Sequence, residues 1–151
     1  MQYRFFEETD YDELHELERR IFPEHPEDFY RTALPALRFY TRSGHSFVAD
    51  SGEALKGFIL AQAVWQGDRA TVLATRIAAS DAETYTGLLR ALVKSAYDAG
   101  AYEVAILVEP GLSSELEKAL EENEIRDSGR IMYARVLGQR GASGEKGNVL
   151  S

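Results

Sequence analysis

The sequence contains no cysteine. That removes disulfide frameworks, thiolate zinc sites and cysteine nucleophiles together. Its three histidines, His15, His25 and His45, are scattered without metal-ligand spacing. No apolar run approaches the roughly 18 residues of a membrane-spanning helix, and the N-terminal MQYRFFEETD has no signal-peptide pattern. The expectation is a soluble, cytoplasmic protein with no membrane partner. Basic residues are outnumbered: 17 Lys and Arg face 25 Asp and Glu, for a net charge of -8. Sequence-independent binding to nucleic acid or to an anionic membrane needs a basic surface, so that balance argues against both. No P-loop, Ser-His-Asp arrangement or dinucleotide fingerprint is present.

What is there fits an ordinary globular chain of 151 residues, 44% hydrophobic and 28% charged. A chain of this size buries roughly 68–70% of its unfolded surface and needs no staple. Acid is concentrated in two stretches, Glu7 to Glu18 and Glu115 to Glu124. The plain reading is a pair of solvated helix faces; the sharper one is attraction of a cationic substrate such as an amine.

Residues 3–6 alternate weakly as a strand, and Tyr11, Leu14, Leu17 and Ile21 mark an amphipathic helix over 10–21, with Asp10 and Glu13 at capping-box spacing. A second helix is expected from near Pro26, with Phe29, Ala33 and Leu37 on one face and a kink at Pro35. Strands follow at 46–50, 56–65 and 71–77, joined by tight turns into an antiparallel meander. Residues 81–99 form the clearest helix, with Tyr85, Leu88, Leu89, Leu92, Val93 and Ala96 on its stripe and Gly100 as its stop. EVAILV at 103–108 reads as a strand covered on both faces. Ser114 and Glu117 have capping-box spacing for a helix ending near Asn123, and 130–137 (RIMYARVL) reads as a last strand. The expected order is β-α-α-β-β-β-α-β-α-β, an α+β domain over residues 1–137. Residues 138–151, rich in Gly, Ser and charge, form a disordered tail.

That order, with LLRALVKSAYDAGAYEVAILVEP at 88–110, resembles the GNAT superfamily of N-acetyltransferases over roughly residues 3–137. The resemblance implies a mixed, mostly antiparallel sheet with flanking helices. It also implies a transferase that moves an acetyl or other acyl group from acyl-CoA to a small amine. In that family a turn reading Arg/Gln-x-x-Gly-x-Gly/Ala opens the long helix and holds the pyrophosphate on free backbone amides. The matching stretch here is Ser80, Asp81, Ala82, Glu83, Thr84 and Tyr85, with neither glycine nor arginine. Ser80 and Glu83 have capping-box spacing, and Asp81 adds a carboxylate to the first turn. A carboxylate about 6 Å from a phosphate charge costs about 0.7 kcal/mol in water and about 3 kcal/mol at a dielectric near 20. Acids facing inward therefore predict poor CoA affinity. The backbone of Thr75 and Ile77 matches the family's pantetheine-pairing positions. Arg76 is available to a phosphate or, more simply, to Asp81 or Glu83. The family's late-helix tyrosine and Gly-Phe pair have no counterpart in Ala119–Ile125.

Remaining candidates each have a plain alternative. Glu109, after the fifth strand, is either a base for the amine or a solvated loop acid. Tyr133, on the last strand, is either an acid for the thiolate or a packing residue. Trp65 is core or rim packing, or an acceptor-pocket wall. His15 pairs with Glu18 at the surface. A competing function is a domain that keeps the fold, has lost CoA chemistry, and binds a small molecule or a protein. Homodimerisation through the sheet edge or the acidic first helix is a further expectation.

Overall fold

Alternation at the N-terminus produces β1 (Gln2–Phe5), which pairs antiparallel with β2 (Phe47–Asp50). In this computed structural model residues 1–23, 33–135, 137 and 138 are described. Between those strands lie α1 (Tyr11–Ile21) and α2 (Leu34–Ser43). β3 (Leu55–Gln66) and β4 (Arg69–Ala79) form a long hairpin, turned at Gly67 with φ +64°. Then come α3 (Ala82–Asp98), β5 (Glu103–Ile106) and α4 (Ser114–Glu122). The sheet order is β1-β2-β3-β4-β5, antiparallel except for the parallel pair β4 and β5. The α+β class and the mostly antiparallel sheet are as expected.

The period-2 side-chain alternation of strands sorts the core into two layers. Phe47, Ala49, Ile59, Ala61, Val72 and Ala74 pack under α3 and α4 with Leu88, Leu89 and Leu92. Val48, Phe58, Leu60 and Ala78 pack under α1 and α2 with Leu14, Leu17 and Leu37. Each fully buried Leu or Phe contributes about 1.5–3 kcal/mol. Gly57 permits the tightest approach in the hairpin: a Cβ there would lie 2.8 Å from the Ala78 carbonyl oxygen. Gly87 lets the Tyr3 ring lie directly on α3.

Several expectations need correction. Pro35 does not kink a helix; it sits in the first turn of α2, where its missing N–H costs nothing. Pro26 and Phe29 lie outside the described residues. Asp10 precedes α1 without capping it, because Arg4 holds both its oxygens at 2.8 Å. Glu13 instead accepts the Leu55 N–H at 2.8 Å. Val93 is 36% exposed, off the buried stripe of α3. α4 is capped by Ser113, whose hydroxyl accepts the Leu116 N–H at 3.2 Å, and not by Ser114. β5 is a four-residue edge strand, half-buried throughout, not one covered on both faces. No strand forms over the described part of 130–137. Of the expected tail, only residue 138 is described.

Candidate functional site

The candidate site begins where two neighbouring strands part. β4 and β5 pair from Thr71 with Glu103 to Ala74 with Ile106, and the last bond runs from Leu107 N–H to the Ala74 carbonyl at 2.9 Å. β4 continues through Thr75–Ala79, and no described strand pairs with that stretch on the β5 side. The register with β3 jumps at the same place: Leu60 faces Arg76 while Ala61 faces Ala74, so Thr75 is an extra residue. Such a bulge bends a strand and releases backbone groups from the ladder, and bulges gather beside active sites. Thr75, Arg76 and Ile77 thus lie where β4 opens.

On the α1 and α2 side, this opening has a polar wall. The Tyr40 hydroxyl lies 2.9 Å from Thr75 Oγ1. The Arg76 guanidinium donates to Glu18 at 3.0 Å, with side chains only 18% and 7% exposed, and lies 4.7 Å from the Phe22 ring. Arg76 therefore pairs with an acid of α1, and not with Asp81 or Glu83. Its Nε is buried without a hydrogen-bond partner among the described residues. Glu18 was expected on a solvated face, beside His15; it is buried, and His15 stacks on Tyr11.

At its far end β4 delivers Ser80 to the start of α3. Asp81, not Ser80, is the N-cap, and its carboxylate accepts the Thr84 N–H at 2.8 Å. Ser80, Asp81 and Glu83 are exposed, whereas Thr84 and Tyr85 are buried. The Ala82 and Glu83 N–H groups have no partner among the described residues, as befits the first turn of a helix. Burial raises the Tyr85 phenol pKa, a hydrogen bond to the Ala79 backbone opposes the rise, and Glu115 adds to it. A polar depression of about 620 Å³ opens beside this turn, lined by Tyr3, Glu83, Thr86, Arg90, Lys118 and Glu122. Burial, Glu83 and Asp81 raise the Tyr3 pKa, and Arg90 opposes them.

Other sequence candidates fall elsewhere. Glu109 is exposed on the loop after β5. Tyr133 is 92% exposed and Trp65 is 75% exposed, so neither packs in the core. His45 is buried, and its Nδ1 hydrogen-bonds the Ser95 hydroxyl of α3. Glu18 and Tyr40 were missed. Glu18 had a signal: it sits at the helical spacing of Leu14, Leu17 and Ile21, on the apolar stripe. Tyr40 had none, because its partner is 35 residues away on another element.

Comparison with known proteins extends this picture. A family model described as protein of unknown function (DUF1999) matches residues 1–149. The crystal structure of wild-type TTHA1254 from Thermus thermophilus is 48% identical, covers 93% of this chain and 100% of that one, and superposes with a TM-score of 0.77. AAC(6')-Iy, solved in complex with the bisubstrate analog CoA-S-monomethyl-acetylneamine, is 18% identical over 89% of this chain and 97% of its own, with a TM-score of 0.68. An aminoglycoside acetyltransferase from an uncultured soil metagenomic sample, meta-AAC0020 in complex with sisomicin, is 14% identical over 91% and 96%, with a TM-score of 0.70. No curated protein matches. At such identities the acetyltransferases establish the fold, which is GNAT-like. The chain belongs to the family described as protein of unknown function (DUF1999), built on a GNAT-like fold.

Proposed function

We propose that the protein is an N-acyltransferase that takes an acyl group from acetyl-CoA or another acyl-CoA and places it on a small amine. The observation that carries this reading is the opening of β4: a bulge at Thr75 beside a released edge, Thr75–Ala79, that leads to the first turn of α3. When bound, acyl-CoA supplies an activated thioester. Main-chain groups of Thr75–Ile77 are placed to line an extended pantetheine arm and to polarise the acyl carbonyl. The Ala82 and Glu83 amides face the pyrophosphate end, where Asp81 and Glu83 weaken the attraction. Overall the amine nitrogen gains a bond to the acyl carbon, the carbon–sulfur bond breaks, and the proton lost by nitrogen balances the one sulfur needs.

Tyr40 is the phenol positioned at the bulge and is assigned proton donation to sulfur; Glu109 and Tyr133 keep the roles of alternative base and acid, from positions outside this wall. The net charge of -8 suits a cationic acceptor. Calorimetric titration with acetyl-CoA at low salt tests the reading. A Kd of roughly 100 µM or tighter is expected. No heat and no thermal stabilisation at about 1 mM would place any affinity weaker than about -4.1 kcal/mol and overturn it. With binding in hand, Tyr40→Phe should lower kcat while leaving the Kd unchanged.

A further inference from the structure

The β3–β4 hairpin carries two incompatible registers along its length. The turn at Gly67 and Asp68 sets Gln66 opposite Arg69, and that register holds as far as Ala61 opposite Ala74. Continued without interruption, it would set Leu60 opposite Thr75, Ile59 opposite Arg76 and Phe58 opposite Ile77. The strands instead resume with Leu60 opposite Arg76, Ile59 opposite Ile77 and Phe58 opposite Ala78. One residue is skipped. Arg76 to Ala79 therefore lie on the faces opposite to those the uninterrupted register would give them.

Cross-strand partners share a face, so what the uninterrupted register would bury is legible residue by residue. Ile59 belongs to the apolar layer under α3, with Ala74, Leu88 and Leu89. Opposite Ile59, Arg76 would carry its guanidinium into that layer. The buried carboxylates among the described residues are Asp10 and Glu18, at the start of α1 and within it, on the other side of the sheet. An unpaired guanidinium in an apolar layer is a heavily disfavoured arrangement. In the skipped register Arg76 turns to α1 and donates to Glu18 at 3.0 Å, while Ile77 takes its place in the layer under α3. Thr75 and Arg76 then share the α1 and α2 face, Thr75 reaching Tyr40 and Arg76 reaching Glu18. Two consecutive residues on one face fit a bulge and no regular strand. A buried ion pair is weak evidence for stability, and its best-attested use is to fix a register. The Arg76 Nε, buried without a partner among the described residues, suits that use better than an optimised hydrogen-bond network.

We propose that Arg76 is the positioning residue of the β4 opening. Its charge, received on α1 by Glu18, excludes the uninterrupted register and forces the bulge at Thr75. The bulge in turn sets which backbone groups of β4 face the released side beyond Ala74. That acyl-CoA is the ligand of this edge rests on the transferase reading; that Arg76 sets the register does not.

Cross-strand nuclear Overhauser contacts in the full chain test the proposal, beside calorimetric titration with acetyl-CoA. The wild type should show contacts of Leu60 with Arg76 and of Ile59 with Ile77. Glu18→Leu with Arg76→Met removes both charges, and methionine adapts to either layer. Contacts of Leu60 with Thr75 and of Phe58 with Ile77 should then appear, and acetyl-CoA binding should weaken about tenfold or more. Arg76→Lys keeps the charge and should keep the wild-type contacts. A folded double variant with wild-type contacts alone overturns the proposal, as does a slipped Arg76→Lys. A slipped double variant that binds acetyl-CoA as the wild type does overturns it equally. Where the first double variant does not fold, Glu18→Gln with Arg76→Met carries the same test. A wild type that binds no acetyl-CoA refutes the transferase reading alone, and the contacts then decide the proposal.

Discussion

Replacing Asp81 by asparagine separates two jobs that this one side chain performs. As N-cap it accepts the Thr84 N–H at 2.8 Å, and asparagine caps as well as aspartate does. As an anion it stands at the end of α3 where a pyrophosphate would dock. Asp81 is exposed, so its repulsion lies near the water limit: about 0.7 kcal/mol for a phosphate charge about 6 Å away, or about threefold in affinity. Removing it should tighten acetyl-CoA binding about threefold per facing phosphate charge at low salt. The gain should shrink to less than about twofold at 0.15 M salt, where the screening length is about 8 Å. Stability should fall only by the lost dipole interaction, about 0.3–1 kcal/mol. Asp81→Ala should show a similar charge effect but lose about 1 kcal/mol more, because the cap goes as well. Calorimetric titration at two salt concentrations, beside thermal melts, reads both quantities. Unchanged or weaker binding by Asp81→Asn at low salt would refute the reasoning, since the carboxylate would then not face the phosphates.

Three other perturbations probe the same framework. Glu18→Gln removes the counter-charge of Arg76 in a nearly buried pair and should cost roughly 3 kcal/mol; a urea midpoint close to wild type would mean that the pair adds little. Gly57→Ala places a Cβ 2.8 Å from the Ala78 carbonyl oxygen and 3.0 Å from the Ala79 Cβ, so it should cost about 1–3 kcal/mol, and a neutral effect on chemical denaturation would mean that the hairpin is more yielding than its register suggests. Burial holds the His45 imidazole below its ordinary value. The unfolded chain then takes up a proton first, so this contribution is fully present above about pH 6.5 and declines as pH falls below it. His45→Gln should flatten that part of the melting-temperature profile; an unaltered slope would place the titration elsewhere.

The local pattern of the chain determined the elements. The stripe of Leu88, Leu89 and Leu92 announced α3, the stripe of Leu14 and Leu17 announced α1, and the alternating runs joined by Gly67 announced the central hairpin. These signals are legible because each depends on residues within one or two turns of one another. The order of the elements was enough to suggest the GNAT-like fold. Tertiary structure alone decided the chemistry of the cleft. The bulge at Thr75 arises from pairing with β3, and no property of Thr75 itself demands it. Arg76 chose Glu18 over the nearby Asp81 and Glu83 because alternation along β4 turns its side chain toward α1. Asp81 capped α3 in place of Ser80 once the end of β4 had set where the helix begins. No strand forms over the described part of 130–137 although its composition suits one, because a strand takes its hydrogen bonds from a partner and composition alone does not bring that partner into register.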